Sequence, residues 1–218
     1  MIHKDYVMRL IEMFINTLLE VLGLKEKDPE RALDSINKLL MQLTGFSSKF
    51  INSVSESKLL ELLETKAGID ADRIIMTASL LKEEADIYEV SGNLSESFPR
   101  YLKALSLYLE VINRGCEIHV PAQYIYTDEI ISKLKLFQLP AHTIIKAAVY
   151  FERKQMYSLA EDMLYDFIKL ESYSEAAVKL GIEFYERMLA REDGDLNNGN
   201  LPRNEVIHGL SELKKQLK

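Results

Sequence analysis

The chain has 218 residues, 47% of them apolar and 28% charged, which is enough for one large domain or a run of small helical units and excludes a disordered chain. Its net charge is -7 with Lys and Arg scattered, which excludes an electrostatic footprint for nucleic acid, and its single cysteine, Cys116, excludes an intramolecular disulfide framework. With only nine Gly and five Pro among abundant Leu, Glu, Lys, Ala and Ile, the expected class is all-α.

The first predicted helix covers residues 3–22. Tyr6, Leu10, Met13, Phe14, Leu18 and Val21 form one stripe, and Val7, Ile11, Ile15, Leu19 and Leu22 widen it. An apolar arc this broad needs cover on two sides, from the same chain or from a partner. Lys4, Asp5, Arg9 and Glu12 interrupt the run, so it does not read as a signal peptide. No stretch of about 18 uncharged apolar residues follows, so no membrane span is expected. With a lone cysteine, the expected location is the cytoplasm.

Gly23 ends this helix, and Asp28-Pro29 opens the next, over 29–43, with Gly45 as its stop. A short turn and a helix near 56–65 follow, capped by Ser55. Asp70 caps a long helix to about Ser91. Gly92-Asn93 is a turn, and 94–114 form another helix, with Pro99 in or near its first turn. Pro121 and Pro140 each open a helix, to about Phe137 and Lys154. Two helices over 156–170 and 174–190, a polar loop "EDGDLNNGNLPRN" and a last helix from about Asn204 to Leu217 complete the chain. The closing "LKKQLK" suits a helix C-terminus, where cations are favourable. No strand is expected.

Leu81, Ala85, Tyr88, Gly92, Ser97, Tyr101 and Ala104 follow a repeated pattern in which small residues alternate with large ones across a helix–turn–helix, with Leu109 where a closing Pro is expected. A second copy reads Ile144, Ala148, Phe151, Ala160 and Leu164, with Phe167 at a small-residue position. A third begins at Ala177 and runs through Leu180-Gly181 to Phe184, and "KDPERAL" with Ala32 matches part of another. On these residues the chain resembles the tetratricopeptide-repeat family. Ala148 to Gly181 is 33 residues, close to the repeat length of about 34, whereas Ala85 to Ala148 is 63, short of two repeats. The helix after Pro121 is therefore supernumerary. The resemblance implies antiparallel helical hairpins stacked as a short, irregular superhelix over residues 69–218, with residues 1–68 as an N-terminal helical segment packed on it, or one continuous domain. The opening "HKDYVMRLIE" with this body also resembles a group of small uncharacterised proteins of low-GC Gram-positive bacteria.

The tetratricopeptide resemblance implies a concave groove lined by the first helix of each pair. Carried over, its positions are Ser79, Lys82, Asp86 and Glu89 in one copy, then His142, Ile145, Val149, Glu152 and Arg153, then Glu175, Val178, Ile182 and Tyr185. Lys82 matches a Lys that clamps peptide carboxylates in some members, but Asp86 stands where Asn is expected. The competing account is that these side chains face solvent or neighbouring repeats.

Other constellations are sparser. Cys116, His119 and His142 do not make a zinc ligand set, and no third group orients a Cys–His pair. Asp193, Asp195, Asn197 and Glu205 echo a calcium loop, but Asp195 to Glu205 is one residue short of twelve and Asp193 to Glu205 one too long. Glu83, Glu84 and Asp86 read as a solvated helix face. No phosphate loop, nucleophile elbow or His-Glu-x-x-His occurs, and no cofactor is implied. The leading expectation is a non-enzymatic module that binds a protein or peptide in a helical groove. The alternative is a small-molecule sensor or an enzyme with a pocket near Tyr124, Tyr126, His119 and His142. Homodimerisation through Val7, Ile11, Ile15 and Leu19 is a further expectation; the alternative is that residues 29–65 wrap that face.

Overall fold

The computed structural model describes the backbone of residues 2–65, 68–135 and 137–217, and the side chains of 5–64, 69–135 and 137–217. The chain is all-α: twelve α-helices occur among the described residues. It divides into two compact units, Met1–Gln138 and Leu139–Lys218. That division lies far from residue 68, because the N-terminal helices pack on the long helices that follow them.

In the first unit, α1 (Ile2–Leu24) and α2 (Pro29–Thr44) form a pair. The Asp28 carboxylate accepts from the Arg31 amide at 3.2 Å, Pro29 sits where its missing N–H costs nothing, and Gly45 takes a left-handed φ of 79° to close the end. Two short helices follow, α3 (Ser48–Ser53) and α4 (Glu56–Leu63), capped by Ser47 and Ser55. A two-residue antiparallel pairing, Glu64–Thr65 with Gly68–Ile69, is the one extended element among the described residues. It leads into α5 (Ala71–Val90), capped by Asp70. Gly92, at φ 74°, turns the chain into α6 (Leu94–Arg114), capped by Asn93. Pro99 lies inside α6 rather than in its first turn.

Helix α5 is the axis of the unit. It packs on α6, α2 and α1, and it is buried on every side from Ala71 to Ile87 apart from Arg73. Ala85, Ser97 and Ala104 are buried at the α5–α6 crossing, where small side chains let the backbones approach. Beyond α6, the segment expected to form one helix from Pro121 instead runs as a loop, a single 3-10 turn at Ala122–Tyr124, and α7 (Thr127–Leu134), which packs on α6.

On α1, the inward side chains are Ile11, Phe14, Leu18 and Val21, against α2 and α5. This corrects one self-association residue: Ile11 is core. Val7 and Ile15 are half-buried, and Leu19 is 58% exposed.

The second unit is built from α8 (Ala141–Arg153), α9 (Tyr157–Leu170), α10 (Glu175–Leu189), the short α11 (Asp193–Asn198) and α12 (Arg203–Gln216). Helices α8 and α9 pair closely over buried Ala148 and Ala160, and α10 packs on α9 and α12. Gly181 permits that: a Cβ there would meet Leu213 Cδ1 at 2.5 Å and Ile168 Cδ1 at 2.9 Å. The polar loop expected after residue 190 contains α11.

Candidate functional site

Helix α5 carries an unusual load of buried charge. Lys82 is 4% exposed, and its ammonium lies 3.1 Å from Glu83, 3.0 Å from Asp86 and 3.1 Å from Glu129 of α7, with the Tyr126 ring centroid 4.1 Å away. Asp86 also accepts from the Tyr101 hydroxyl at 2.5 Å and lies 3.4 Å from both Lys25 and Lys133. Lys133 pairs with Glu89 as well. Burial alone would raise the Asp86 pKa, but the Tyr101 hydrogen bond and the Lys82 and Lys133 charges outweigh it and hold the carboxyl below its ordinary range. Burial would likewise lower the Lys82 pKa, and Glu83 and Asp86 reverse it, so it lies above the usual lysine value. Burial pushes the Tyr126 phenol up to about 12.

Three of the four groove positions on this helix are therefore closed. Ser79, Lys82 and Asp86 are buried and Glu89 half-buried, because the chain's own 119–134 segment lies over them. The Ser79 and Tyr108 hydroxyls reach the Tyr124 carbonyl at 2.8 and 3.1 Å, and Lys82 meets Glu129. Tyr124 packs edge-on against Phe14, and Asp72 accepts from the His119 and Val120 amides and from the His119 ring at 2.9 Å. So Tyr124, Tyr126 and His119 serve as packing and anchoring groups, while His142 belongs to the second unit. The Glu83-Glu84-Asp86 face, read from sequence as solvated, is also buried, because helices cover it and cations neutralise it.

A second charged group opens to solvent. Glu84, 3% exposed, accepts from the Ser48 hydroxyl and from Asn52 Nδ2 at 3.2 Å, and Arg100 Nε lies 3.2 Å from it. Arg100, 7% exposed, spends Nη1 on the Glu96 carbonyl and carboxylate and lies 4.4 Å over the Tyr88 ring. Together with Lys49 and Ser53 these residues line a cleft of about 430 Å³ between α3, α5 and α6. A broader concavity of about 710 Å³, lined by Asp28, Asp34, Asn37 and Arg31, shares Ser48 and Glu84 with it. Nearby, buried Lys103 donates to the Ile51 and Val54 carbonyls, both at 2.7 Å, where α3 ends. Burial lowers its pKa.

In the second unit, His142, Val149 and Arg153 are exposed along α8, with Ile145 and Glu152 half-buried on the same face. Arg187 of α10 holds Glu152 in a fork, at 2.9 and 2.8 Å. Side chains three and four apart share a helix face, so this bridge sets the Val149 face of α8 beside the Leu180–Glu183–Arg187 face of α10. Val149 and Leu180 are each 39% exposed there. The third set of groove positions fares differently. Glu175 is exposed, but Val178, Ile182 and Tyr185 are buried, Tyr185 donating to Glu161 and lying over Gly209. The outward face of α10 is thus rotated from the one expected.

A family model described as a family of unknown function, DUF6483, matches residues 1–218. The chain belongs to this family. No curated protein and no solved structure matches it. Among the described residues, no helix is long and apolar enough to cross a membrane, and no group of three His, Cys, Asp or Glu side chains is placed to hold a metal. The calcium candidates do not converge. Asp193, Asp195 and Asn197 lie on α11, where residues two apart point about 200° from one another, and Asp193 pairs with Arg203. Sequence reasoning missed Ser48, Asn52, Arg100 and Lys103, and took Glu84 for part of a solvated face. Their one visible signal is the Glu96–Arg100 spacing on α6, which any solvated helix also shows.

Proposed function

We propose that this chain is a non-enzymatic interaction protein that holds a protein or peptide segment on the paired outer faces of α8 and α10, in the way tetratricopeptide arrays use their first helices. The observation that supports this reading is the Glu152–Arg187 bridge, with exposed Val149 on the bridged face of α8 and exposed Leu180 on that of α10. Apolar side chains framed by charges suit a segment that buries one or two apolar side chains of its own. A cytoplasmic, bacterial setting belongs to the same reading. The test is affinity capture by wild type and by Val149→Glu/Leu180→Glu, both solvent-facing changes that spare the core. Prey enriched on wild type should drop at least about fivefold, corresponding to about 1 kcal/mol, while thermal stability is kept. An unchanged prey set rejects this face. Lys82 is unsuitable for such a test, because its loss would disturb the core.

Self-association through α1 is retained with a narrower footprint. Met8, Ile15, Leu19 and Leu22 share one face, and all but half-buried Ile15 are exposed. If two copies pair there, Leu19→Glu will convert a dimer into a folded monomer in sedimentation equilibrium. A monomeric wild type ends the idea. The small-molecule reading is favoured by a different observation, the polar cleft around Glu84 and Arg100.

A further inference from the structure

The cleft between α3, α5 and α6 combines both signs of charge with a buried amide oxygen that lacks a donor. Its lining charges balance, with Glu84 and Glu96 against Lys49 and Arg100. Asn52 turns its Nδ2 toward the Ser48 carbonyl at 3.0 Å, the Ser48 hydroxyl at 3.2 Å and Glu84 at 3.2 Å. Flipping the amide would set oxygen against the Ser48 carbonyl and the Glu84 carboxylate, so the orientation is fixed. The consequence is that Asn52 Oδ1 is buried without a donor. Arg100 Nε, by contrast, has the Glu84 carboxylate 3.2 Å away as its ionic partner, so Asn52 Oδ1 is the orphan of this cleft. A buried polar atom left unpaired costs about 1–3 kcal/mol, and such atoms in a native protein call for an occupant or a role.

We propose that this cleft is a binding site for a small zwitterion of the α-amino acid class. The ammonium would enter on the acceptor side, toward Asn52 Oδ1 and the carboxylates of Glu84 and Glu96. The carboxylate would meet the Arg100 guanidinium, with Lys49 at the rim. An anion alone would face two carboxylates, and a cation alone would face Arg100 and Lys49. Only a ligand carrying both charges meets a complementary partner at each end. The volume, about 430 Å³, is in the usual range for small-molecule sites and leaves room for a side chain beside Tyr88. This rests on the small-molecule reading of the cleft and is independent of the α8–α10 face.

The experiment uses the purified full chain with no protein partner present, so prey capture has no bearing on its outcome. The standard L-amino acids are tested one by one by thermal shift and isothermal calorimetry, with acetate and ethylamine as single-charge controls. At least one amino acid should stabilise the protein saturably. The single-charge controls should bind at least about tenfold more weakly. Asn52→Ala, which removes the orphan acceptor, and Ser53→Trp, which fills the mouth from an exposed position and leaves the Glu84–Arg100 pair intact, should each weaken binding at least about tenfold. The proposal is overturned if no amino acid gives a saturable effect, if acetate or ethylamine binds as well, or if a folded Ser53→Trp variant binds like wild type.

Discussion

Asp86→Ala is expected to destabilise the first unit by about 3–5 kcal/mol, the cost of breaking a buried charge pair from one side. The carboxylate is the common partner of four groups: Lys82, Tyr101, Lys25 and Lys133. Removing it leaves the Lys82 ammonium buried beside Glu83 and Glu129 alone, and leaves the Tyr101 hydroxyl with Glu89 only. Hydrogen exchange of α5 and α6 peptides should report the loss directly, because it is confined to this unit. The control is Asp34→Ala. Asp34 pairs with Lys38 on the exposed face of α2, and such surface pairs contribute about 0–1 kcal/mol. Equal effects from the two substitutions would mean that the buried network does not hold the unit together.

The same network gives a pH dependence with a definite sign. The folded pKa of Asp86 is below its ordinary 3.8, so its contribution is present above that value and is lost as pH falls through the folded pKa. Lys82 is shifted the other way. Its contribution is complete below 10.5 and is lost as pH rises above that through its folded pKa. Wild type should therefore lose more stability than Asp86→Asn between about pH 7 and about pH 3. Urea midpoints for both proteins at the two pH values measure this, and parallel losses would remove Asp86 from the explanation.

Gly199→Ala should be a damaging small substitution in the second unit. The added Cβ would fall well inside contact distance of the Tyr157 ring, 2.9 Å from its Cγ and 2.6 Å from the Gln155 carbonyl oxygen. Neither neighbour can give way cheaply. Tyr157 is fully buried, and Gln155 already holds a left-handed φ of 58° in the turn between α8 and α9. The Gly199 carbonyl also accepts from the Ser158 amide at 3.0 Å, so a backbone shift at this position would break a bond to α9. Overpacking of this kind costs about 1–3 kcal/mol. Gly194→Ala is the internal control, since no atom lies within 4 Å of its added Cβ and it sits in the short helix that Gly199 caps. The difference between the two variants in thermal midpoint isolates the clash, and an absent difference would mean the α11 turn repacks freely.

The turn that opens α6, the caps of α2, α4 and α5, and the small residues at the α5–α6 and α8–α9 crossings were all legible in sequence. Asp28, Ser55, Asp70 and Asn93 each accept from the amide three residues on, which is local chemistry and needs no tertiary information. Ala85, Ala104, Ala148 and Ala160 are buried where the spacing places them, because a helix pair can close only over small side chains. The whole length of the chain falls in one family, and its helical class follows from composition.

What sequence determined by itself was therefore the set of helices and most of their ends, since capping and periodicity act over three or four residues. Which faces are covered was decided by tertiary structure. Glu83, Glu84 and Asp86 read as a solvated face, yet α5 is enclosed and its carboxylates meet Lys82, Lys25, Lys133 and Arg100, residues 1 to 61 positions away. The groove positions on α5 are closed by residues 119–134 of the same chain, and α10 turns a different face outward because Gly181 and Gly209 seat it against α9 and α12. The cleft at Glu84 and Arg100 joins α3, α5 and α6, three elements with no common local pattern. Burial of charge depends on partners that pairwise spacing along one helix does not reveal, and only the packed chain supplies them.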